Sequence, residues 1–341
     1  KSIKMFSKPL FIAEVALSHE GSVGNACALI ELAKKHNIDI VKFQDHWAKY
    51  ESSNEETFRV NIGIDKTRYD YWERTEFSFQ EWSYIYEFAK KLDIKLAFSV
   101  FSEQSFLRQR NLGNKIWKIG SGELLNEELI EIMIKNLGIQ DIVILSIGLS
   151  DFSNGLDISR KFSNIVKHVY LLDCISEYPC DLDQYNMKNW ASNFNKIDKN
   201  VFYGLSDHSG TIWPTIFSWS CGISLNEFHI TFNRKLFGPD QKSSLEPVDL
   251  ETLSAAREAY IKLNSNKAES NLFNKEKMIS LFGRSIGIKE SLKKGHKLVR
   301  KDLIMRKPSG GYKYNSMESL VGKVLNQDVD FRELLKPSHF L

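Results

Sequence analysis

Several absences narrow the chain before any motif is read. Cysteine is scarce: among 341 residues only Cys27, Cys174, Cys180 and Cys221 are cysteine, and no two form a Cys-x-x-Cys pair. A chain of this length buries a large core without covalent staples, so the four read as free thiols of a reducing compartment, and the cytoplasm is the expected location. An excess of one charge is missing too: 46 basic residues against 43 acidic ones leave a formal net charge of +3. The cations are scattered and not interleaved with aromatics, which argues against a nucleic-acid surface. No stretch reaches the roughly 18 apolar residues of a membrane span. Near the start, Glu14 interrupts the apolar run that a signal peptide would need. Neither nucleic acid nor membrane is therefore an expected partner. The GxxxxGK[ST] loop is absent, and no GxGxxG follows the first strand candidate, which lowers the standing of ATP and NAD chemistry. A small anionic substrate needs only a few local cations and stays open.

What is present is a repeating alternation. Short apolar segments at 10–15, 39–43, 95–100, 116–120, 141–148, 168–175, 201–208 and 223–231 read as strands, most without strict polar alternation. Helical patterns at 25–37, 78–92, 126–138 and from about Thr215 fall between them. Ser78 with Glu81 three residues on predicts a capping box. Eight strand–helix units predict an α/β fold, a (β/α)8 TIM barrel over residues 1–264, with a doubly wound sheet as the alternative. The helix pattern at 249–263 closes the barrel, residues 265–281 read as a linker, and 282–341 read as a small β-rich domain with Lys-Gly and Gly-Gly turns. The stretch 46–77 is the longest connection, and a connection of that length is usually functional or locally structured.

In a barrel the C-terminal strand ends form one rim around one site. Glu14, Lys42, Lys118, Ser121, Glu123, Ser146, Ser206, Asp207, His208 and His229 all fall at or just inside such ends. An isolated strand-end serine is a structural cap more often than a ligand. Lys42 and Lys118 sit inside apolar runs, where an ammonium must find an anion or snorkel outward, so they read as an anion site or as salt-bridge scaffolding. His208 and His229, on adjacent strands, are the best metal candidates, with Glu14, Asp207 or His19 as possible additions; the bland reading is a core histidine bonded to Asp207 or Glu227. Gly120–Ser121–Gly122 could turn N–H groups toward an oxyanion. Arg306 and Lys307, before Pro308–Ser309–Gly310–Gly311, form a solvated turn or a cationic loop that grips an acidic ligand.

The segments IAEVALSHEGS, VKFQ, WKIGSGE, ILSIG, LLDCISEYP, GLSDHSGT, EFHIT, FGPDQKSSLEP and RKPSGGY…SLVGKV, in that order, resemble the sialic acid synthase family, which makes N-acetylneuraminate, legionaminate and pseudaminate. The resemblance runs from about residue 9 to the end. It implies a barrel followed by an antifreeze-like (SAF) domain, a domain-swapped homodimer, and condensation of phosphoenolpyruvate with an N-acylated amino sugar. It places the metal on His208 and His229 and the phosphoenolpyruvate contacts on Lys42, Lys118, Ser121, Ser146 and Ser206. Glu14 falls at the reacting centre, and Glu123, Asp240 and either Arg306 or Lys307 fall on the sugar. The implied cofactor is a divalent metal, manganese first, with magnesium, cobalt, iron or zinc as alternatives. The chain departs from the family pattern at Val100, at Ile147 within Ser146–Ile147–Gly148, at Asp173, and at Lys307 in place of an arginine. Two other readings compete: an octulosonate-phosphate type of synthase using a phosphosugar, and an inactive barrel that only binds a sugar acid.

Overall fold

The computed structural model describes residues 8–60, 63, 65–265 and 272–340. Two compact units divide at Asn264 and Ser265. In the first, the eight apolar segments are parallel strands: β1 (Leu10–Ala16), β2 (Ile40–Asp45), β3 (Lys95–Val100), β4 (Ile116–Ile119), β5 (Ile142–Ser146), β6 (His168–Cys174), β7 (Val201–Asp207) and β8 (Leu225–Ile230). Each pairs with the next, and β8 pairs back onto β1, so the sheet closes into a barrel with no free edge between them. A ninth strand, β9 (Ser244–Leu245), adds to β8 beyond the eight read from the sequence.

Helices α1 (Val23–Lys35), α2 (Ala48–Glu51), α3 (Arg68–Thr75), α4 (Phe79–Lys91), α5 (Glu103–Asn111), α6 (Glu127–Asn136), α7 (Phe152–Ser163), α8 (Met187–Phe194), α9 (Trp213–Ser218) and α10 (Pro247–Leu263) fill the connections. Their starts follow capping chemistry. Ser78 Oγ accepts from Glu81 N at 3.2 Å while Ser78 N donates to the Glu81 carboxylate at 2.7 Å, the box expected from the sequence. The long 46–77 connection carries α2 and α3, with Thr67 and Asp70 forming a second box. Helix α10 ties the barrel's lower end together, because buried Arg257 donates to Asp39 at 2.5 Å and Asp39 also accepts from Phe11 N.

Every second strand side chain faces inward. The lower inward layer is apolar: Ile12, Ile40, Ala97, Ile116, Ile144, Leu172 and Leu225 fill the barrel's floor. Gly204 completes that layer, since a Cβ there would lie 2.2 Å from Leu172 Cδ2 and 2.7 Å from Leu225 O. The outward faces pack against the helices in the main core, where Trp117, Phe98, Phe106 and Trp82 are fully buried. Truncating a buried aromatic of this kind costs about 3–5 kcal/mol.

The second unit has its own core of Ile286, Ile288, Leu298, Leu303, Met317, Leu320, Leu325, Val329 and Leu335. It contains α11 (Leu272–Phe282), the antiparallel pair β10 (Ser285–Ile288) and β11 (Leu303–Arg306), and the short α12 (Met317–Leu320). Part of the stretch read as a linker, 265–281, is therefore helix, while 266–271 lies outside the described residues. Polar composition suggested a linker because α11 has no apolar stripe of helical spacing strong enough to stand out. Among the described residues no helix is long and apolar enough to cross a membrane.

Candidate active site

Two residues above the apolar layer, the inward positions change character. Glu14, Lys42, Ser99, Lys118, Ser146, Cys174, Ser206 and Glu227 line a cavity of about 300 Å³ at the C-terminal end of the barrel, and His208 and His229 stand higher on the same wall. Of the residues singled out from the sequence, the fold thus brings Glu14, Lys42, Lys118, Ser121, Ser146, Ser206, His208, His229 and Asp240 to one cavity.

The floor is an ion cluster. Lys118 Nζ donates to Glu227 Oε1 at 2.7 Å, and Lys42 Nζ lies 3.6 Å from the same oxygen while donating to Ser99 Oγ at 3.1 Å. Lys42 also contacts the Glu14 carboxylate, which accepts from Ala16 N at 2.7 Å. Ser206 Oγ donates to Glu227 at 3.0 Å. Burial pushes the Lys42 ammonium down to about 7, with Glu227 pulling the other way and Lys118 adding to the fall. Burial would raise Glu227, but Lys118 and Lys42 outweigh it and hold the carboxyl at about 2. Two ammonium groups, two carboxylates and the Ser146 hydroxyl, which is buried with no hydrogen-bond partner, make a floor able to exchange internal ion pairs for an anionic ligand.

The wall is an imidazole pair with ring centroids 5.5 Å apart. Burial, helped by the neighbouring His229, lowers His208 to about 3, and burial lowers His229 to about 4 against the pull of Asp240. Both rings are neutral at pH 7. His208 Nδ1–H donates to Ile175 O at 2.7 Å, which leaves its Nε2 as a lone-pair nitrogen. His229 Nδ1 is buried and has no partner. Neither ring bonds to Asp207 or Glu227 in the described contacts, so the core-histidine reading does not hold. Neutral imidazoles, one anchored by a carbonyl and one with an unpartnered nitrogen, fit a divalent metal. Among the described residues no group of three or more His, Cys, Asp or Glu side chains joins them, so water or substrate would complete the coordination.

Three sequence candidates of the barrel lie outside the cavity. His19 accepts from Gly21 N at 3.0 Å and packs 4.5 Å from Phe77, outside the cavity. Asp207 faces the helices and accepts from Tyr185 Oη at 2.8 Å and Ser209 N at 2.9 Å. Glu123 does not line the cavity; its carboxylate accepts from Asn126 at 2.9 Å. Arg306 and Lys307 belong to the second unit, where Arg306 donates to Ile288 O and Lys307 lies 5.3 Å over the Phe282 ring. Two departures from the family pattern also face outward. Val100 is in the main core, and Asp173 accepts from Tyr203 Oη at 2.7 Å on the helix side of β6. They leave the cavity's chemistry untouched, and with it falls much of the support for an inactive barrel.

Sequence reasoning missed Glu227, Ser99, Cys174, Arg59 and Tyr178 as site residues. Counting back by two from His229 finds Glu227, because inward residues recur with that period; Ser99 and Cys174 lie on strands without an inward candidate and are found only through their register partners Lys118 and Ser206. Arg59 had no signal: it comes from the long connection, pairs with Asp240 at 2.5 Å and stacks 4.2 Å over Tyr178.

The model of the NeuB family matches residues 29–268. The chain is 27% identical over 336 residues to the N,N'-diacetyllegionaminic acid synthase of Campylobacter jejuni, covering 96% of this chain and 99% of that one. It is 26% identical over 339 residues to a pseudaminic acid synthase of the same species, covering 98% and 97%. The crystal structure of N-acetylneuraminic acid (sialic acid) synthetase from Leptospira borgpetersenii in complex with citrate superposes with a TM-score of 0.66 at 27% identity, over 81% of this chain and 93% of that one. A closed eight-stranded barrel, a lysine–carboxylate floor beneath two neutral histidines, and a family match across most of the barrel lead to one conclusion: the chain belongs to the NeuB family.

Proposed function

We propose that this protein is a nonulosonic acid synthase, joining phosphoenolpyruvate to the open-chain aldehyde of an N-acylated amino sugar and releasing inorganic phosphate. The observation that carries the reading is the pairing of an anion-ready floor with the neutral imidazole pair above it. The names of the relatives support the class of product.

In this reading Lys42 and Lys118 bind the phosphate and carboxylate of phosphoenolpyruvate, displacing Glu14 and Glu227 from part of their contacts. Ser146, Ser206 and Ser121 donate to its oxygens; Ser121 Oγ now shares a hydrogen bond with Ser176 Oγ at 2.9 Å. The enol carbon of phosphoenolpyruvate forms a bond to the aldehyde carbon, and the aldehyde oxygen takes up a proton. Water adds to the carbon bearing the phosphate, and the tetrahedral intermediate loses inorganic phosphate. Glu14, in contact with Lys42 at the cavity floor, is the residue placed to hold or pass a proton. His208 and His229 would hold a divalent metal, manganese first, which when bound supplies Lewis-acid polarisation of an acceptor oxygen. Asp240 and Arg59 face the outer half, where the sugar's hydroxyl and acyl groups would lie. The acceptor is N-acetylmannosamine or a diacetamido-dideoxy hexose. The cytoplasmic location, the antifreeze-like second unit and the paired-subunit arrangement belong to the same proposal and rest on the family resemblance.

The test is phosphate release from phosphoenolpyruvate against a panel of N-acyl amino sugars, with manganese and with chelator. Turnover with an unphosphorylated acceptor, lost on chelation, is expected. A strict need for a phosphosugar moves the assignment to the octulosonate type. No release with any acceptor overturns the proposal.

A further inference from the structure

Above Lys42, two more residues line the cavity: Gln44 on strand β2 and His46, one residue past its end. Gln44 stands two residues beyond Lys42, about 7 Å further toward the rim at the usual rise per residue. It therefore belongs to the half of the cavity that faces the acceptor in the reading above. Behind it lies an arrangement that the mechanism does not use. His46 Nδ1 is 2.5 Å from Glu51 Oε1, and His46 Nε2 is 2.9 Å from Gln44 Oε1. The imidazole is sandwiched between the indole of Trp72, 3.8 Å away and 14° from parallel, and the ring of Phe101, 4.2 Å away and 10° from parallel. Both His46 and Glu51 side chains are less than a tenth exposed, and Glu51 accepts a second bond from Trp47 N at 3.2 Å.

Donor and acceptor rules constrain this chain of contacts. A carboxylate only accepts, so His46 Nδ1 carries a hydrogen and donates to Glu51. Nε2 lies 2.9 Å from one polar end of the Gln44 amide. With one end of its amide committed to His46, Gln44 has the other end left to offer the cavity.

We propose that Glu51 and His46 are positioning residues: Glu51 fixes His46, and His46 fixes the Gln44 amide so that its free end meets a polar group of the acceptor sugar. The proposal rests on the synthase reading for the identity of the ligand, but the relay itself is a property of the free protein. The aromatic sandwich holds the imidazole in the plane where both bonds form, so the relay is rigid before any ligand arrives.

The test uses the full chain and the panel sugar that gives the highest turnover with wild type. His46→Phe keeps the stack and removes both bonds. It is expected to raise the KM for that sugar about tenfold while the KM for phosphoenolpyruvate stays within twofold. Gln44→Ala is expected to raise the sugar KM by a similar factor, and the Gln44→Ala/His46→Phe double variant to be no worse than Gln44→Ala alone. Glu51→Gln, whose amide oxygen still accepts from Nδ1–H, is expected to recover most of the wild-type KM. Multiplying effects in the double variant, or a phosphoenolpyruvate KM that moves in step, overturn the relay in favour of a structural role. If wild type turns over no sugar, the synthase reading fails by itself, and crystal structures of wild type and His46→Phe decide the relay. The Gln44 side chain is expected to leave its wild-type orientation in the variant, and an unchanged orientation overturns the proposal.

Discussion

Glu227 is the residue on which the site's electrostatics turn, and its removal has a calculable cost. The carboxylate is fully buried and bonded to Lys118, near Lys42, and accepts from Ser206. It is held at about 2 instead of the ordinary 4.5. At 1.36 kcal/mol for each pH unit of that difference, the ionised carboxylate contributes about 3 kcal/mol to folding. Breaking a buried pair by deleting one partner costs about 3–5 kcal/mol, so two independent routes agree. Glu227→Gln keeps the shape and removes the charge. The barrel's urea transition, followed by tryptophan fluorescence at pH 7 with chelator present, is expected to show a loss of about 3 kcal/mol. The sign with pH follows from a depressed folded value. The contribution is complete above the unfolded value of 4.5 and disappears as pH falls toward about 2. The difference between wild type and Glu227→Gln is thus expected to narrow as pH falls below about 4.5. A loss under about 1 kcal/mol at pH 7, or a difference that does not narrow in acid, refutes the claim that the lysines hold this carboxylate ionised.

Two further outcomes test the wall and the floor. Alanine at His208 or His229 is expected to abolish phosphate release and to weaken manganese binding by calorimetry at least tenfold, as removal of one of two protein ligands should; full activity in either variant sinks the metal assignment. Gly204→Ala would drive a methyl group into Leu172 and the Leu225 carbonyl, and overpacking of this kind costs about 1–3 kcal/mol, readable as a lower melting temperature without a change in the KM for phosphoenolpyruvate.

Much of the fold was legible because its signal is local. Strand and helix alternate along the chain, and Ser78 with Glu81 marks a helix start within four residues. The linker reading failed at α11 for the same reason that it was made: a polar stretch without a clear apolar stripe looks alike whether it is helix or coil. Parallel strands covered on both faces hide their inward positions, because apolar residues occupy both sides and blur the period of two. Val100 and Asp173, singled out as departures from the family pattern, face the helices, while Ser99 and Cys174, next to them in sequence, line the cavity unremarked.

The sequence by itself determined the order of elements, the residue types on the strand ends and the placement of two lysines and two histidines where a barrel rim would gather them. Only the tertiary structure decided which charges meet. Lys118 and Glu227 are 109 residues apart, and Arg59 and Asp240 are 181 apart. No local pattern encodes such pairs, since they form when the closing of β8 onto β1 brings opposite ends of the chain to one floor and the long connection folds over it. The charge state of each group follows from that enclosure. Burial outweighs the pull of nearby carboxylates and keeps the histidines neutral, while burial beside two ammonium groups keeps Glu227 ionised.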